Sequence, residues 1–292
     1  MALVDLHLHS NMSDGEYSPA AVVSLAAGAG LRVIALTDHD TTDGIDEALS
    51  AASTLNAGTT PHTDDAFVCL PGIEITTAHE REQHILGYLI DRESASFKEF
   101  VKRLIILRRE RADNILDYLN KMGVRLSYQH VEQLSGNAYI GRPQIAAAMV
   151  DVGKAASIRA AFQGYLTGHE FHKISRPKPS AEESIDQIRA SGGVAVLAHP
   201  DSLGLCDMEL AAHLRTLKEQ GLRGIECHYG SYTRARTERY ISIADSLGLL
   251  VTGGSDFHGP HVKPGVLIAT GVDGMLDFDD ISIVDRLALD IY

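Results

Sequence analysis

Asp5-Leu6-His7-Leu8-His9-Ser10 stands near the start of the chain and places two histidines two residues apart in an apolar run. Because strand side chains alternate between two faces, both imidazoles point to the same face of one predicted strand. Five further clusters of His, Asp or Glu each sit at the end of an apolar, strand-like run. They are Thr37-Asp38-His39-Asp40, Pro71-Gly72-Ile73-Glu74, His84-Ile85-Leu86-Gly87, Ala198-His199-Pro200 and Gly254-Ser255-Asp256-Phe257-His258. Together the clusters predict a polynuclear metal site.

Strand candidates alternate with amphipathic helices along much of the chain. The predicted strands are 3–8, 33–37, 67–74, 84–89, 194–198, 224–227, 249–253 and 266–269. This alternation predicts an α/β fold with parallel strands joined by right-handed crossovers. The 292 residues suffice for an α/β barrel as a single domain, and barrels place their chemistry at the carboxyl ends of the strands.

The alternation of strands and helices stops between residues 95 and 175. Ser96-x-x-Glu99 predicts the start of a helix of about 25 residues that ends near Met122-Gly123. Further helices are predicted at 129–134, 142–152 and 157–166. We therefore predict a barrel formed by residues 1–94 and 176–292, with residues 95–175 inserted as a helical cap over its mouth.

Basic residues of this insertion allow two interpretations. The first helix carries six cations that either form a solvated face or partly line a cleft for an anion: Lys98, Lys102, Arg103, Arg108, Arg109 and Arg111. A second basic cluster returns from the insertion to the barrel and is interpreted as a solvated loop: His172, Lys173, Arg176 and Lys178.

Composition excludes several classes of function. The formal net charge of −13 argues against a protein that grips duplex DNA through its whole surface. The sequence has no apolar run of about 18 residues, which argues against a membrane span. Its three cysteines are odd in number and widely spaced, which argues against a disulfide framework and predicts a cytoplasmic location.

The candidate metal ligands offer nitrogen and oxygen atoms without sulfur, a set that suits zinc, manganese or iron. Glu74 is a candidate bridge between two cations. Adjacent cations a few ångströms apart are suited to hydrolysing phosphate esters. Because ligating histidines usually donate their second N–H to a carboxylate or carbonyl, Asp38 or Asp40 is a candidate for orienting one of the rings. The full ligand set is His7, His9, Asp14, His39, Glu74, His84, His199, Asp256 and His258.

The order of these motifs, from residue 5 to residue 258, resembles the polymerase and histidinol phosphatase (PHP) family. The resemblance implies a distorted seven-stranded (β/α) TIM-like barrel, the PHP fold, with up to three divalent cations. Mn²⁺ is expected, with Zn²⁺ and Fe²⁺ as alternatives. By the same resemblance, the first metal takes His7, His9, Glu74 and Asp256; the second shares Glu74 and adds His84 and His199; the third takes Asp14, His39 and His258.

Motifs within the insertion and shortly after it indicate one branch of this family. Ile140-Gly141-Arg142-Pro143, Gly153-Lys154-Ala155 and Pro179-Ser180-Ala181-Glu182-Glu183 are similar to the branch that holds 3′,5′-nucleoside bisphosphate phosphatases and 5′-to-3′ oligoribonucleotide exonucleases. The segment His169–Ile174 departs from that branch's Gly-Tyr-Val-Pro-like stretch. Arg142 is the candidate substrate-binding residue, since a guanidinium binds phosphate bidentately; the alternative is an arginine in a salt bridge.

The resemblance implies a phosphatase that removes the 3′-phosphate of a nucleoside 3′,5′-bisphosphate and leaves the 5′-monophosphate. Asp256 is the candidate proton acceptor, and His199 is the candidate donor to the leaving ribose oxygen. The alternatives are a 5′-to-3′ exoribonuclease on short RNA, a histidinol-phosphate phosphatase, and a PHP module without catalytic activity. The expected partner is a small nucleotide, or short RNA in the exoribonuclease case, with neither duplex DNA nor a membrane.

Overall fold

Seven strands form one sheet, in chain order, in the computed structural model, which describes residues 2–57, 66–136, 139–174, 177–274 and 276–289. A two-stranded hairpin follows this sheet. The sheet strands are β1 (Val4–Leu8), β2 (Val33–Leu36), β3 (Val68–Thr77), β4 (Gln83–Tyr88), β5 (Val194–Leu197), β6 (Gly224–Tyr229) and β7 (Leu250–Gly254). The hairpin strands are β8 (Val266–Leu267) and β9 (Gly271–Val272).

The two edge strands of the sheet meet, so that the sheet nearly closes into a barrel. Asp256 N donates to His7 O at 2.9 Å, and His9 N donates to Phe257 O at 3.0 Å. A Cβ added at Gly254 would overlap His7, so a glycine is needed where β7 passes β1. The predicted α/β, TIM-like barrel of seven strands is confirmed.

The prediction that every strand is parallel is wrong for β4. This strand runs antiparallel to both β3 and β5, whereas the other neighbouring strands are parallel. The physical reason is the short connection 78–82, which leaves no room for a crossover helix and returns the chain as a hairpin. The predicted strand 266–269 shortens to β8, which pairs only with β9 in its hairpin.

Helices surround the sheet and fill the connection between β4 and β5. Ser18 caps α1 by accepting from Ala21 N, and Ser180 caps α8 by accepting from Glu183 N. The helices are α1 (Pro19–Gly28), α2 (Ile45–Leu55), α3 (Ala95–Lys121), α4 (Tyr128–Ser135), α5 (Arg142–Asp151), α6 (Ile158–Ala161), α7 (His169–His172), α8 (Ala181–Ala190), α9 (Asp207–Glu219), α10 (Arg234–Leu247) and α11 (Ile283–Leu289).

The long helix α3 contributes to two separate hydrophobic cores. Its first half packs Phe97, Phe100 and Leu104 into the core around β3 to β6, and its second half packs into a separate core with α4 to α7. The helix begins one residue before the predicted Ser96, because Ser94 is its N-terminal flanking residue. The division into barrel and cap at 95–175 stays a prediction.

Candidate metal centre

Glu74 lies at the centre of the candidate site, surrounded by imidazoles. Its Oε2 atom lies 3.2 Å from both His7 Nε2 and His9 Nε2, and 3.0 Å from His39 Nδ1. Its Oε1 atom lies 2.7 Å from His84 Nδ1 and 3.0 Å from His199 Nε2. One carboxylate with five imidazole neighbours has the connectivity expected of a bridging ligand.

His84 joins this cluster because β4 is antiparallel. It stands at the beginning of its strand, whereas β1 and β5 bring His9 and His199 just beyond their last residues. Reversing a strand brings its first residues to the edge where its neighbours end. The prediction that each cluster ends a strand is therefore wrong for His84, and Glu74 lies within β3 rather than at its end.

Asp14 and Asp256 complete the site on the side of His258. Asp14 Oδ1 lies 3.2 Å from His258 Nε2, and Asp14 Oδ2 lies 3.9 Å from His39 Nε2. Asp256 Oδ1 lies 3.3 Å from both His9 Nε2 and His258 Nδ1. All nine predicted ligand residues thus lie together, and three groups among them could hold a cation: His7, His9 and Asp256; His39, Glu74 and His84; and His9, Asp14, His39 and His258.

Several buried atoms of this cluster fit a role in binding cations. Within the described residues, these nitrogen and oxygen atoms have no hydrogen-bond partner, although they face one another: His7 Nε2, both ring nitrogens of His9, Asp14 Oδ1, His39 Nδ1 and Glu74 Oε2. Burying polar atoms without partners costs free energy, so such groups call for an explanation. A set of imidazole and carboxylate atoms converging in this way suits divalent first-row ions.

The pKa values in the cluster follow from burial and mutual charge. Burial alone would raise the pKa of Glu74, but the imidazoles of His39, His7 and His84 hold it well below its usual value. Burial opposes the charged form of His9, yet Asp256 and Glu74 raise its pKa to about 9. Burial dominates at His39 and lowers its pKa to about 3. The cluster therefore combines ionised carboxylates with imidazoles of very different basicity.

A buried glutamate that the sequence analysis did not assign orients the histidines. Glu226 Oε1 lies 3.0 Å from His7 Nδ1, and Glu226 Oε2 accepts the backbone N–H of His199 at 2.7 Å. A carboxylate behind a ligating histidine fixes the orientation of its ring. The signal for this role was a charged residue inside the apolar run Gly224-Ile225-Glu226-Cys227, which forms the buried part of β6.

Asp38 and Asp40, predicted to orient a ring, have other contacts. Asp38 accepts from Ser10 N at 2.7 Å and from Ser13 Oγ at 2.6 Å, which holds the loop that carries Asp14. Asp40 pairs with Arg108 of α3. Among the described residues, the carboxylate hydrogen-bonded to the ring of His7 is that of Glu226.

The Oδ2 atom of Asp256 accepts hydrogen bonds from two residues that the sequence did not indicate. Tyr229 OH donates to Asp256 Oδ2 at 2.6 Å, and Lys263 donates to the same oxygen. Burial raises the pKa of Asp256, but Lys263 and the neighbouring imidazoles bring it well below its ordinary value. Neither Tyr229 nor Lys263 carried a sequence signal. His228 of β6 packs against Phe278.

Two cavities flank the cluster, and Asp14, His39 and His84 line both. The first, of about 300 Å³, is lined by residues of β3, β4, α3 and α5, and Arg142 is one of them. The second, of about 420 Å³, is lined by His199, Asp256, Tyr229 and Lys263. Both volumes fall in the range of small-molecule sites.

The cations of α3 divide into two groups. Lys98, Lys102, Arg103 and Arg109 each pair with a nearby acid at the surface. Arg108 and Arg111 instead line the first cavity. Both sequence interpretations therefore apply, each to part of the helix.

Arg142, the predicted substrate-binding residue, and part of the second basic cluster also face the first cavity. The guanidinium of Arg142 lies 3.9 Å from Glu82 and over the ring of Phe162. His172 and Lys178, predicted in a solvated loop, line the same cavity, whereas Lys173 pairs with Glu170 at the surface. Arg176 lies outside the described residues.

Within the described part of the chain, no helix combines the length and the apolar character needed to cross a membrane.

Comparison with known proteins relates this site to phosphoesterases. The PHP domain family matches residues 5–193. Relatives include a 3′,5′-nucleoside bisphosphate phosphatase of Chromobacterium violaceum, 31% identical over 89% of this chain and 88% of its own length. A second relative is the 5′-3′ exoribonuclease Rnm of Escherichia coli, 30% identical over 88% of this chain and 86% of its own length.

Solved structures show the same fold. A protein of Bifidobacterium adolescentis inferred to be a metal-dependent phosphoesterase superposes with a TM-score of 0.80 at 29% identity, over 98% of this chain and 96% of its own. An amidohydrolase of Chromobacterium violaceum with bound sulfate superposes with a TM-score of 0.81 at 28% identity, over 99% and 97%. The family match ends before His199, Asp256 and His258, which the barrel brings to the other ligand candidates.

Proposed function

This chain belongs to the PHP domain family, and from that premise we propose that it is a metal-dependent phosphatase acting on the 3′-phosphate of nucleoside 3′,5′-bisphosphates. Similarity to its relatives indicates a phosphoesterase, and the specific nucleotide substrate is our proposal. The observation that supports it best is the pairing of a candidate metal centre with an arginine-lined cavity directly beside it. The metal centre suits the ester that is cleaved, and the arginine-lined cavity suits a phosphate that is retained.

We propose that three divalent cations, with Mn²⁺ expected and Zn²⁺ or Fe²⁺ as alternatives, occupy the cluster. The first is held by His7, His9, Glu74 and Asp256; the second by Glu74, His84 and His199; the third by Asp14, His39 and His258. Bound cations of this kind supply a water molecule of lowered pKa and neutralise charge on the phosphoryl oxygens. Glu226 fixes the ring of His7, and Asp38 fixes the loop of Asp14.

Proton transfer is assigned to two residues. Asp256 accepts a proton from the attacking water, and Tyr229 and Lys263 keep this carboxylate in place. His199 donates a proton to the leaving ribose oxygen. Its ring borders the second cavity, and Ser202 Oγ lies 3.1 Å from its Nδ1 atom. Arg142 and the inserted helices hold the phosphate that is not cleaved. A cytoplasmic location stays a prediction from the cysteine content.

A 5′-to-3′ exoribonuclease acting on short RNA is the second candidate function. Relatives that carry that name include those of Haemophilus influenzae, Escherichia coli and Salmonella typhimurium, at 31%, 30% and 29% identity. The second cavity offers space beside the metal centre for an RNA chain that continues beyond the cleaved ester. Both activities require a 5′-phosphorylated nucleotide with a phosphate on its 3′ oxygen, so the two proposals share the same site.

A substrate comparison with the Mn²⁺-loaded protein tests the proposed function. We expect a higher kcat/KM for adenosine 3′,5′-bisphosphate than for adenosine 3′-monophosphate, because only the bisphosphate offers a second anion to the arginine-lined cavity. Released phosphate is the measured product. Equal kcat/KM values for the two nucleotides would contradict the proposal. Faster turnover of histidinol phosphate would favour the histidinol-phosphate alternative, and faster cleavage of a 5′-phosphorylated trinucleotide would favour the exoribonuclease.

Arg142→Ala is expected to reduce kcat/KM for the bisphosphate by about 10- to 150-fold and to affect the 3′-monophosphate far less. Charge-assisted hydrogen bonds to a phosphate contribute about 1.5–3 kcal/mol, and each 1.4 kcal/mol is about tenfold. Arg142→Lys should restore only part of the activity, because an ammonium lacks the planar fork.

Arg159→Ala, on the exposed face of α6, is the matched control and should behave as wild type. If the ratio of kcat/KM for the bisphosphate to that for the 3′-monophosphate is unchanged in Arg142→Ala, Arg142 does not contact the second phosphate. The alternative interpretation, a salt bridge with Glu82, would then be correct.

A further inference from the structure

The two cavities beside the candidate metal centre differ in their basic side chains. Of the described residues that line the second cavity, Lys263 is the only lysine or arginine. Asp201 also lines this cavity, but its Oδ1 atom accepts from Arg236 Nη1 at 2.9 Å and from the hydroxyl of Tyr240, which offsets its charge. The lysines and arginines that line the first cavity are Arg81, Arg108, Arg111, Arg142 and Lys178. An anionic group in the second cavity therefore has Lys263 as its cationic neighbour.

Two hydrogen bonds hold Lys263 beside the candidate metal centre. Its ammonium group donates to Asp256 Oδ2 and, at 3.0 Å, to Tyr229 OH. The other oxygen of this carboxylate, Asp256 Oδ1, faces His9 and His258. An ammonium has three N–H donors, so the two bonds described for Lys263 leave one donor for a ligand. The side chain is 34% exposed and lines the cavity, so a ligand there can reach that donor.

The loop that carries Lys263 is fixed to a neighbouring loop by Glu16. Glu16 N donates to His258 O at 2.8 Å, and Glu16 Oε2 accepts the backbone N–H of His261 at 3.2 Å. Lys263 N donates to Gly259 O at 2.9 Å. The backbone of Lys263 is therefore positioned before a substrate binds, which lowers the entropic cost of a contact with it.

A phosphomonoester and a phosphodiester differ at one oxygen. The monoester phosphate carries a charge of about −1.5 to −2 at neutral pH and three terminal oxygens that are strong hydrogen-bond acceptors. In a diester such as RNA, one of those oxygens carries the next nucleotide, and the phosphate has a single negative charge. A lysine that faces this oxygen gains a charge-assisted hydrogen bond from the monoester only.

We propose that Lys263 binds the terminal oxygen that a diester lacks, on the phosphate that is cleaved, and so makes the site select a phosphomonoester over a phosphodiester. This role rests on the proposed function, because it requires the cleaved phosphate to lie at the proposed cations. Asp256 connects the two positions, since its Oδ1 atom faces His9 and its Oδ2 atom accepts from Lys263.

Two substrates test this role in the full-length, Mn²⁺-loaded protein. Adenosine 3′,5′-bisphosphate presents a 3′-monoester, and the 5′-phosphorylated dinucleotide pApA presents a 3′-diester at the same position. Release of adenosine 5′-monophosphate is measured by chromatography. Lys263→Met is expected to lower kcat/KM for the bisphosphate by about 10- to 150-fold and to affect pApA far less. Lys263→Arg keeps the charge and should fall between wild type and Lys263→Met.

Tyr229→Phe separates substrate binding from support of Asp256. It removes a hydrogen bond to Asp256 Oδ2 but keeps the ammonium of Lys263, so any loss of kcat/KM should be equal for the two substrates. Lys102→Met, on the exposed surface of α3, is the matched control and should behave as wild type. Circular dichroism and metal content are determined for every variant.

An equal loss of kcat/KM for both substrates in Lys263→Met would overturn the proposal, since Lys263 would then act only through Asp256. Bisphosphate hydrolysis without any loss in Lys263→Met would also overturn it and leave the proposed function intact. If Lys263→Met does not fold, Lys263→Gln takes its place with the same criteria.

Calorimetric titration with inorganic phosphate and with dimethyl phosphate decides if wild type cleaves neither substrate, a result that would reject the proposed function. Lys263→Met should then weaken binding of inorganic phosphate by at least about tenfold and leave binding of dimethyl phosphate unchanged. Equal phosphate affinity in wild type and Lys263→Met would overturn the role of Lys263.

Discussion

Removal of divalent cations by a chelator should abolish phosphate release, and addition of Mn²⁺ should restore it. The reason is that the nine clustered imidazole and carboxylate side chains include buried atoms that lack other partners. Without cations, the site offers no water of lowered pKa and no charge to neutralise the phosphoryl oxygens. The measurement is phosphate release from the bisphosphate before and after chelation, with metal content determined by elemental analysis.

Zn²⁺ and Fe²⁺ added in place of Mn²⁺ show which ion supports the reaction. Buffer exchange without chelator is the control for activity that is lost during handling of the protein. Full activity in a preparation shown to be free of metal would contradict the assigned chemistry, whichever substrate is used.

Asp256→Asn and His9→Ala are each expected to lower kcat by at least about 100-fold. Loss of a carboxylate or imidazole that merely supports a metal ligand costs about 10- to 100-fold, so loss of a direct ligand should meet or exceed that range. Asp256→Asn nearly preserves the shape of the side chain while removing its charge. His9→Ala removes a ring that faces both Glu74 and Asp256. Rates at saturating bisphosphate and the metal content of each variant are measured together.

Matched variants on the exposed surface control for these substitutions. Asp186→Asn on α8 and His169→Ala on α7 should retain wild-type rates, because both residues are exposed and neither lines the two cavities at the cluster. Circular dichroism verifies that each variant is folded. Folded, metal-loaded Asp256→Asn or His9→Ala with nearly full activity would refute the assigned roles.

The residues that form the candidate site could be predicted from the sequence for a chemical reason. Few residue types bind first-row cations through nitrogen and oxygen, and period-two alternation places His7 and His9 on one face of a strand. Strand ends of a barrel meet at one edge, so residues distant in sequence, such as His39 and His258, were expected together. The structure brings them together, while their roles as ligands stay predictions.

The orienting contacts of the site were not predictable in the same way. Asp38 and Asp40 adjoin His39 in sequence, yet one holds the loop of Asp14 and the other faces α3. The carboxylate behind His7 is Glu226, 219 positions further along the chain. Asp38, His39 and Asp40 lie beyond the end of β2, and Asp40 has a left-handed backbone conformation, so proximity in sequence does not give proximity to the ring.

By itself, the sequence determined the α/β class, the positions of the sheet strands along the chain and the set of metal-binding candidates, because these depend on local periodicity and side-chain chemistry. Only the tertiary structure decided the direction of β4, which depends on a hairpin rather than on the strand's own residues. The tertiary structure also decided which basic side chains of α3 face the cavity. The rotation of a helix about its axis is set by what its apolar side packs against, here the barrel core at Phe97 and Leu104, and that packing turns Arg108 and Arg111 inward.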